Sequence, residues 1–107
     1  MNISISETKK INSQLIVELY KANKWSSAEK PIELKNALLN SHSLITAWDK
    51  EKFVGLGNAI SDGHLIVYYS HLLVLPEYQG KGIKNMIVNK FQKKYNDFHM
   101  QMSTADG

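Results

Sequence analysis

The residues best placed to do chemistry form one stretch, Leu73-Val74-Leu75-Pro76-Glu77-Tyr78-Gln79-Gly80-Lys81-Gly82-Ile83. A long apolar run ends at a proline, a polar glycine-bearing loop follows, and the loop opens a helix. At such a junction the first N–H groups of the helix lack partners, and the helix dipole adds partial positive charge. Glycines let a phosphate approach the main chain, so the chemistry on offer is an anion cradle, with Lys81 and Lys84 adding charge. Two common phosphate loops are excluded by spacing. A Walker loop requires Ser or Thr after its lysine, and Gly82 follows Lys81. The dinucleotide fingerprint Gly-x-Gly-x-x-Gly is matched by Gly80 and Gly82 but has Asn85 in the third place. Alone, a Gly-x-Gly pair is equally a plain helix-start turn; the strand, proline and amphipathic helix around it make the cradle reading stronger.

The elements that must position this loop are legible by periodicity. Ile3 and Ile5 alternate with polar neighbours as a short first strand. Asn12 or Ser13 caps a helix to about residue 23 with Leu15, Ile16, Leu19 and Tyr20 on its apolar face. Lys24-Trp25-Ser26-Ser27 breaks it, and Pro31 opens a second helix with Leu34, Leu38 and Leu39 in its stripe. Strands follow at 43–48 and 53–60, the second carrying Gly55 and Gly57 where a bulge or a close approach is expected. Ser61-Asp62-Gly63 turns the chain into a longer strand, 64–75, apolar on both faces as an interior strand is. The helix after the loop runs to about Tyr95 with Ile83, Met86, Ile87 and Phe91 as its stripe. His99–Ser103 is the last strand. The order β-α-α-β-β-β-α-β predicts an α/β fold with a mixed sheet: strands 2, 3 and 4 antiparallel, strands 4 and 5 parallel through a right-handed crossover.

Composition narrows the partners. The chain has 107 residues, 43% hydrophobic and 21% charged, and a formal net charge of +3. That is one domain over 1–107, with no linker, repeat or apolar run long enough to span a membrane. No secretory signal is readable at the N-terminus. With no Cys, disulfides and thiolate metal sites are excluded, and a reducing cytoplasmic location is compatible. All 13 basic residues are Lys. Without a guanidinium fork, sequence-specific nucleic-acid reading is disfavoured, although dispersed lysines still attract polyanions. His42, His64 and His99 show no metal-ligand spacing, so no metal is expected.

Val74-x-Pro76 followed by Gln79-Gly80-Lys81-Gly82-Ile83-Lys84 resembles the main motif of the GNAT superfamily of acyl-CoA N-acyltransferases, Gln/Arg-x-x-Gly-x-Gly/Ala after a strand ending in Val-x-Pro. Gln79 matches the Gln/Arg and Gly82 the first Gly; Lys84 stands where Gly or Ala is usual, either crowding a pyrophosphate or pairing with it. The order of elements from 1 to 105 fits the family as well. The resemblance implies a coenzyme A site, with the loop from Gln79 through Gly80, Lys81, Gly82 and Ile83 to Lys84 binding the pyrophosphate. Main-chain groups of Leu73 and Val74 would pair with the pantetheine arm, in a slot opened by a bulge in strand 4 and by splaying of strand 5.

The resemblance also implies an acyl transfer from acetyl-CoA to a primary amine of a small molecule or peptide. His71, near a position often acidic in the family, is the candidate base, its ordinary pKa lying near working pH; the alternative is a half-buried histidine satisfied by a neighbour. Trp25 and Tyr69 are candidate acceptor-site residues, with packing as the alternative for each. The family continues past strand 5 with a helix, which often carries a thiolate-protonating tyrosine, and a hairpin. The chain stops at Gly107, so these are expected to be lacking. An uncovered strand 5 edge is then expected to recruit a cover, a homodimer partner foremost. The second functional reading is accordingly a catalytically incomplete module that binds coenzyme A or dimerises without turnover, and a polyanion-binding role comes third.

Overall fold

The computed structural model describes residues 1–103. In chain order these form β1 (Ile3–Glu7), α1 (Ser13–Ala22), α2 (Pro31–Leu39), β2 (Ser43–Asp49), β3 (Lys52–Ser61), β4 (Ile66–Val74), α3 (Ile83–Lys94) and β5 (Met100–Ser103). The sheet order is β1-β2-β3-β4-β5, antiparallel through β4 and parallel between β4 and β5. This is the β-α-α-β-β-β-α-β mixed sheet expected from periodicity, and β5 is its last strand among the described residues. None of their helices is long and apolar enough to cross a membrane.

Local chemistry sets the element ends. Asn12 Oδ1 accepts from Gln14 N at 2.7 Å and caps α1, and Pro31 occupies the first turn of α2. Lys24, at φ +61°, ends the α1 turn in the left-handed region. A 3-10 turn at Ser26–Glu29, which periodicity did not announce, then leads into α2. Strand β4 begins two residues later than expected. Asp62 Oδ1 accepts the N–H groups of His64, Leu65 and Ile66 and keeps that segment turned.

The sheet separates two apolar layers. Ile16, Leu19, Tyr20, Leu34 and Leu38 of α1 and α2 pack on one face with Leu56 and Leu73. Ile83, Ile87, Phe91 and Tyr95 cover the other, against Val67, Tyr69, Leu72 and Val74. Two assignments to helical stripes are corrected. Leu39 is exposed at the end of α2, and Met86 is exposed on α3, where Tyr95 completes a straight i, i+4 ridge instead. That ridge lies close to the sheet at Gly57, where a Cβ would stand 2.7 Å from Ile87 Cγ2 and 2.9 Å from Phe91 Cε2. The expected close approach is therefore at Gly57. Gly55 instead adjoins a bulge, since Ala47 pairs with Gly55 and Trp48 with Phe53, leaving Val54 extra in β3.

Candidate functional site

A second bulge shapes β4. Asn58 pairs with His71 and Ile60 with Tyr68, so three steps along β4 oppose two along β3. The extra residue reverses the facing of the strand. Before it, Tyr69 points to the α3 layer; after it, His71 and Leu73 point to the α1 layer while Leu72 and Val74 face α3. The bulge is held from inside the core by Asn58, 3% exposed. Its Oδ1 accepts from His71 N (2.7 Å) and Ser70 Oγ (2.9 Å), and its Nδ2 donates to Ser41 Oγ at 3.0 Å. The side chain thus satisfies the His71 amide where the ladder is interrupted.

Strand β5 flanks β4 only over Ile66–Tyr69, opposite Met100–Ser103. Past Tyr69, the outer edge of β4 has no strand beside it among the described residues. The divergence of strand 5 expected from the family would fall after Ser103, outside those residues. Leu75 N donates to Val54 O at 2.8 Å, and Leu73 O turns toward Gly55, so alternation directs Leu73 to β3 and the groups of Leu72 and Val74 outward. The main-chain pairing expected of Leu73 and Val74 is corrected by one residue: Leu73 is committed to β3, and Leu72 takes its place on the open edge. The Val74 carbonyl is already engaged, accepting from Asn23 Nδ2 (3.1 Å) and Gln79 Nε2 (3.0 Å).

Beside this edge lies a groove of about 440 Å³ lined by Leu72, Val74, Gly80, Gly82, Lys84 and Asn85, among others. Gly80 and Gly82 adopt φ +77° and +83°, and a Cβ on either would meet nothing within 4 Å. The N–H groups of Gly80, Lys81 and Gly82 donate to no protein group among the described residues. No side chain caps α3, and the N–H groups of its first turn have no intrahelical acceptor. A contiguous run of unpartnered donors at a helix N-terminus, flanked by the exposed Lys81 and Lys84, fits a diphosphate. Gln79 differs from the rest of its expected set. Its N–H donates to Pro76 O and its side chain to Asn23 Oδ1 and Val74 O, so it pins the loop to α1 and β4. Tyr78 pins it to the β2–β3 turn, donating to Asp49 Oδ2 at 2.8 Å.

On the α1 side of β4 the structure brings His71 and Trp25 together, with ring centroids 4.9 Å apart and edge to face. Tyr20, read from sequence only as a core residue of α1, completes the cluster, its hydroxyl 2.7 Å from His71 Nδ1. Burial pushes the Tyr20 phenol far above its ordinary value and His71 below the usual imidazole range. His71 Nε2 has no hydrogen-bond partner among the described residues. Tyr69 is not part of this cluster. It is 3% exposed on the opposite face, stacked on Phe91 at 4.8 Å, with its hydroxyl donating to Gln101 Oε1. Burial raises the Tyr69 phenol to about 12. The bulge is the reason: it places Tyr69 and His71, two residues apart, on opposite faces. Of the residues sequence reasoning passed over, Asn58 carried a signal, as a polar side chain inside an apolar strand. Asn23 and Tyr20 carried none, because their partners are 51 residues away.

A mixed sheet with a bulged β4, an open outer edge and an uncapped glycine start to the next helix defines an acyl-CoA acyltransferase class of fold. A family model described as an acetyltransferase (GNAT) domain matches residues 7–105, and the chain belongs to that family. Among solved structures it is similar to a GNAT family acetyltransferase from Streptococcus pneumoniae TIGR4, at 26% identity and a TM-score of 0.84, over 99% of this chain and 78% of that one. A protein from meticillin-resistant Staphylococcus aureus matches at 18% identity and a TM-score of 0.79, over 94% of this chain and 78% of that one. An aminoglycoside N-acetyltransferase in complex with CoA matches at 13% identity and a TM-score of 0.74, over 97% of this chain and 77% of that one. No curated protein matches.

Proposed function

We propose that the chain is an N-acetyltransferase that moves an acetyl group from acetyl-CoA directly to a primary amine of a small molecule or peptide, and that residues 1–107 form a single domain. The observation that carries this reading is the continuity of the open β4 edge with the unpartnered amides at the start of α3. Acetyl-CoA would supply the activated thioester. The N–H groups from Gly80 to Lys84 would hold its pyrophosphate, with Lys81 and Lys84 adding charge, and the outward groups of Leu72 would pair with the pantetheine arm as an added strand does. Trp25 and His71, just past the bulge on the other face, would border the amine. Release of thiol from acetyl-CoA across a panel of amines tests the reading. Failure of acetyl-CoA either to raise the melting temperature or to shift the Gly80 and Gly82 amide resonances would sink it.

A second reading keeps coenzyme A binding without turnover. One observation favours it: Tyr78, the phenol on the groove wall, commits its O–H to Asp49 and is not available to reprotonate a thiolate there. Binding without thiol release from any amine would select it. The partner is proposed to be a second copy of the chain. Ile66 and Tyr68 on β4 and Met100 and Met102 on β5 are exposed, and as register partners they share one face. Sedimentation equilibrium showing only monomer would remove that proposal. A cytoplasmic location accords with these readings.

A further inference from the structure

We infer that Tyr20 holds His71 as the neutral imidazole protonated on Nε2, so that His71 serves the transfer as a fixed hydrogen-bond donor to a substrate oxygen and not as the base for the amine. The tautomer follows from the residues alone; the use made of it rests on the acetyltransferase reading above. Tyr20 is 0% exposed, and among the described residues its hydroxyl has one partner, His71 Nδ1, at 2.7 Å. Two arrangements satisfy that distance. In the first, Tyr20 donates and Nδ1 accepts, so both atoms of the contact are used and Nε2–H is left to meet solvent or substrate. In the second, Nδ1–H donates to the phenol oxygen, and the phenol hydrogen of a residue buried in the apolar cluster that includes Leu73, with Trp25 beside its ring, is left without another acceptor among the described residues. An orphaned buried donor costs about 1–3 kcal/mol, which disfavours the second arrangement by roughly one to two orders of magnitude in population.

The consequence for chemistry is direct. A base needs a lone pair, and this tautomer of His71 has one in the ring plane, on Nδ1, where it accepts from Tyr20, while Nε2 carries the hydrogen. A proton donor is excluded as well, since losing Nε2–H would require Tyr20 to become a buried phenolate. What remains is a directed, uncharged N–H beside Trp25. Such a group polarises a carbonyl or anchors a carboxylate, carbonyl or hydroxyl oxygen without moving a proton. Proton balance is then kept by solvent. As the N–C bond replaces the C–S bond, one of the three ammonium protons stays on the amide nitrogen, one passes through water to the leaving sulfur and one is released to solvent.

Two-bond proton–nitrogen correlation spectra of the whole chain labelled with ¹⁵N-histidine read the tautomer without substrate, His71 being assigned by its loss in His71→Gln. The Nε2–H form is expected near neutral pH; the Nδ1–H form, or an even mixture, overturns the inference. Activity gives a second readout. The Gln side-chain amide places an N–H near Nε2 and cannot act as a base, so His71→Gln is expected to stay within about tenfold of the parent while His71→Ala falls further. If Gln falls as far as Ala, by the roughly 10²–10⁴-fold expected on removing a base, His71 is the base and the inference is wrong. A rise confined to the KM of the amine places the oxygen on the acceptor, and a loss confined to kcat places it on the acetyl carbonyl. Absence of turnover in the parent chain would remove the acetyltransferase reading and leave the tautomer to be decided by the spectra.

Discussion

Replacing Gly57 by alanine tests how the fold positions the loop. The added methyl would stand 2.7 Å from Ile87 Cγ2, 2.9 Å from Phe91 Cε2 and 3.2 Å from Leu72 Cδ1. Carbon atoms rest about 3.5–4.0 Å apart, so α3 must retreat from the sheet by close to 1 Å, or its side chains must leave their rotamers. Neither is easy. Ile87 and Phe91 are fully buried, and Phe91 is stacked on Tyr69, so its ring has no vacant side to turn into. Overpacking of this kind costs about 1–3 kcal/mol, and for a chain of this size about 2 kcal/mol lowers the melting temperature by roughly 10 °C. The first turn of α3 moves with the helix, so CoA affinity should fall along with stability. Thermal and urea unfolding measure the first effect and CoA titration the second. A Gly57→Ala chain melting within about 2 °C of the parent, with an unchanged denaturant slope, would refute the close-approach argument.

Gly82→Ala meets open space but must hold φ +83°, which costs an L-residue about 1–2 kcal/mol; a melting temperature lowered by several degrees and weakened CoA binding are expected from calorimetry and titration. Asn58→Ala removes the acceptor of the His71 amide and breaks the bonds to the Ser70 and Ser41 hydroxyls, and urea unfolding should show a loss of about 2–3 kcal/mol. His71 has a folded pKa below its ordinary 6.5, so the unfolded chain takes up the proton first. Stability should therefore be lost as pH falls below about 6.5, and melting curves of His71→Gln should show a shallower decline over that interval.

Periodicity located the eight regular helices and strands of the described residues, most clearly where an element buries one face at its own repeat: Leu19 and Tyr20 on α1, Val67 and Tyr69 on β4, Ile87 and Phe91 on α3. The glycine loop was legible for a similar reason, since the left-handed turns and the uncapped helix start are local to Gly80–Lys84. What sequence reading could not supply was phase after an irregularity. The β4 bulge turns Leu72, not Leu73, to the open edge and separates Tyr69 from His71, yet nothing in Tyr69-Ser70-His71 marks it. Its cause, the Asn58 side chain, lies on another strand. The contact that bears on His71 was out of reach on the same ground, because its partner Tyr20 is 51 residues away in sequence.

The sheet has a property of a different kind: its strand order is its chain order. Each strand, as it is made, finds its partner already present. The two tight connections in β2-β3-β4 require only short loops to close, whereas β1 joins across two helices and β5 across α3. Short loops close with the least loss of entropy, and contacts between distant segments form late. The β2-β3-β4 meander is thus the natural nucleus, and the β4–β5 junction is among the last pieces to settle and the first to loosen. The candidate groove lies just beyond that junction, on the stretch of β4 that β5 does not flank, so a long, flexible thioester admitted there would border the last-formed margin of the sheet and leave the meander's pairing intact.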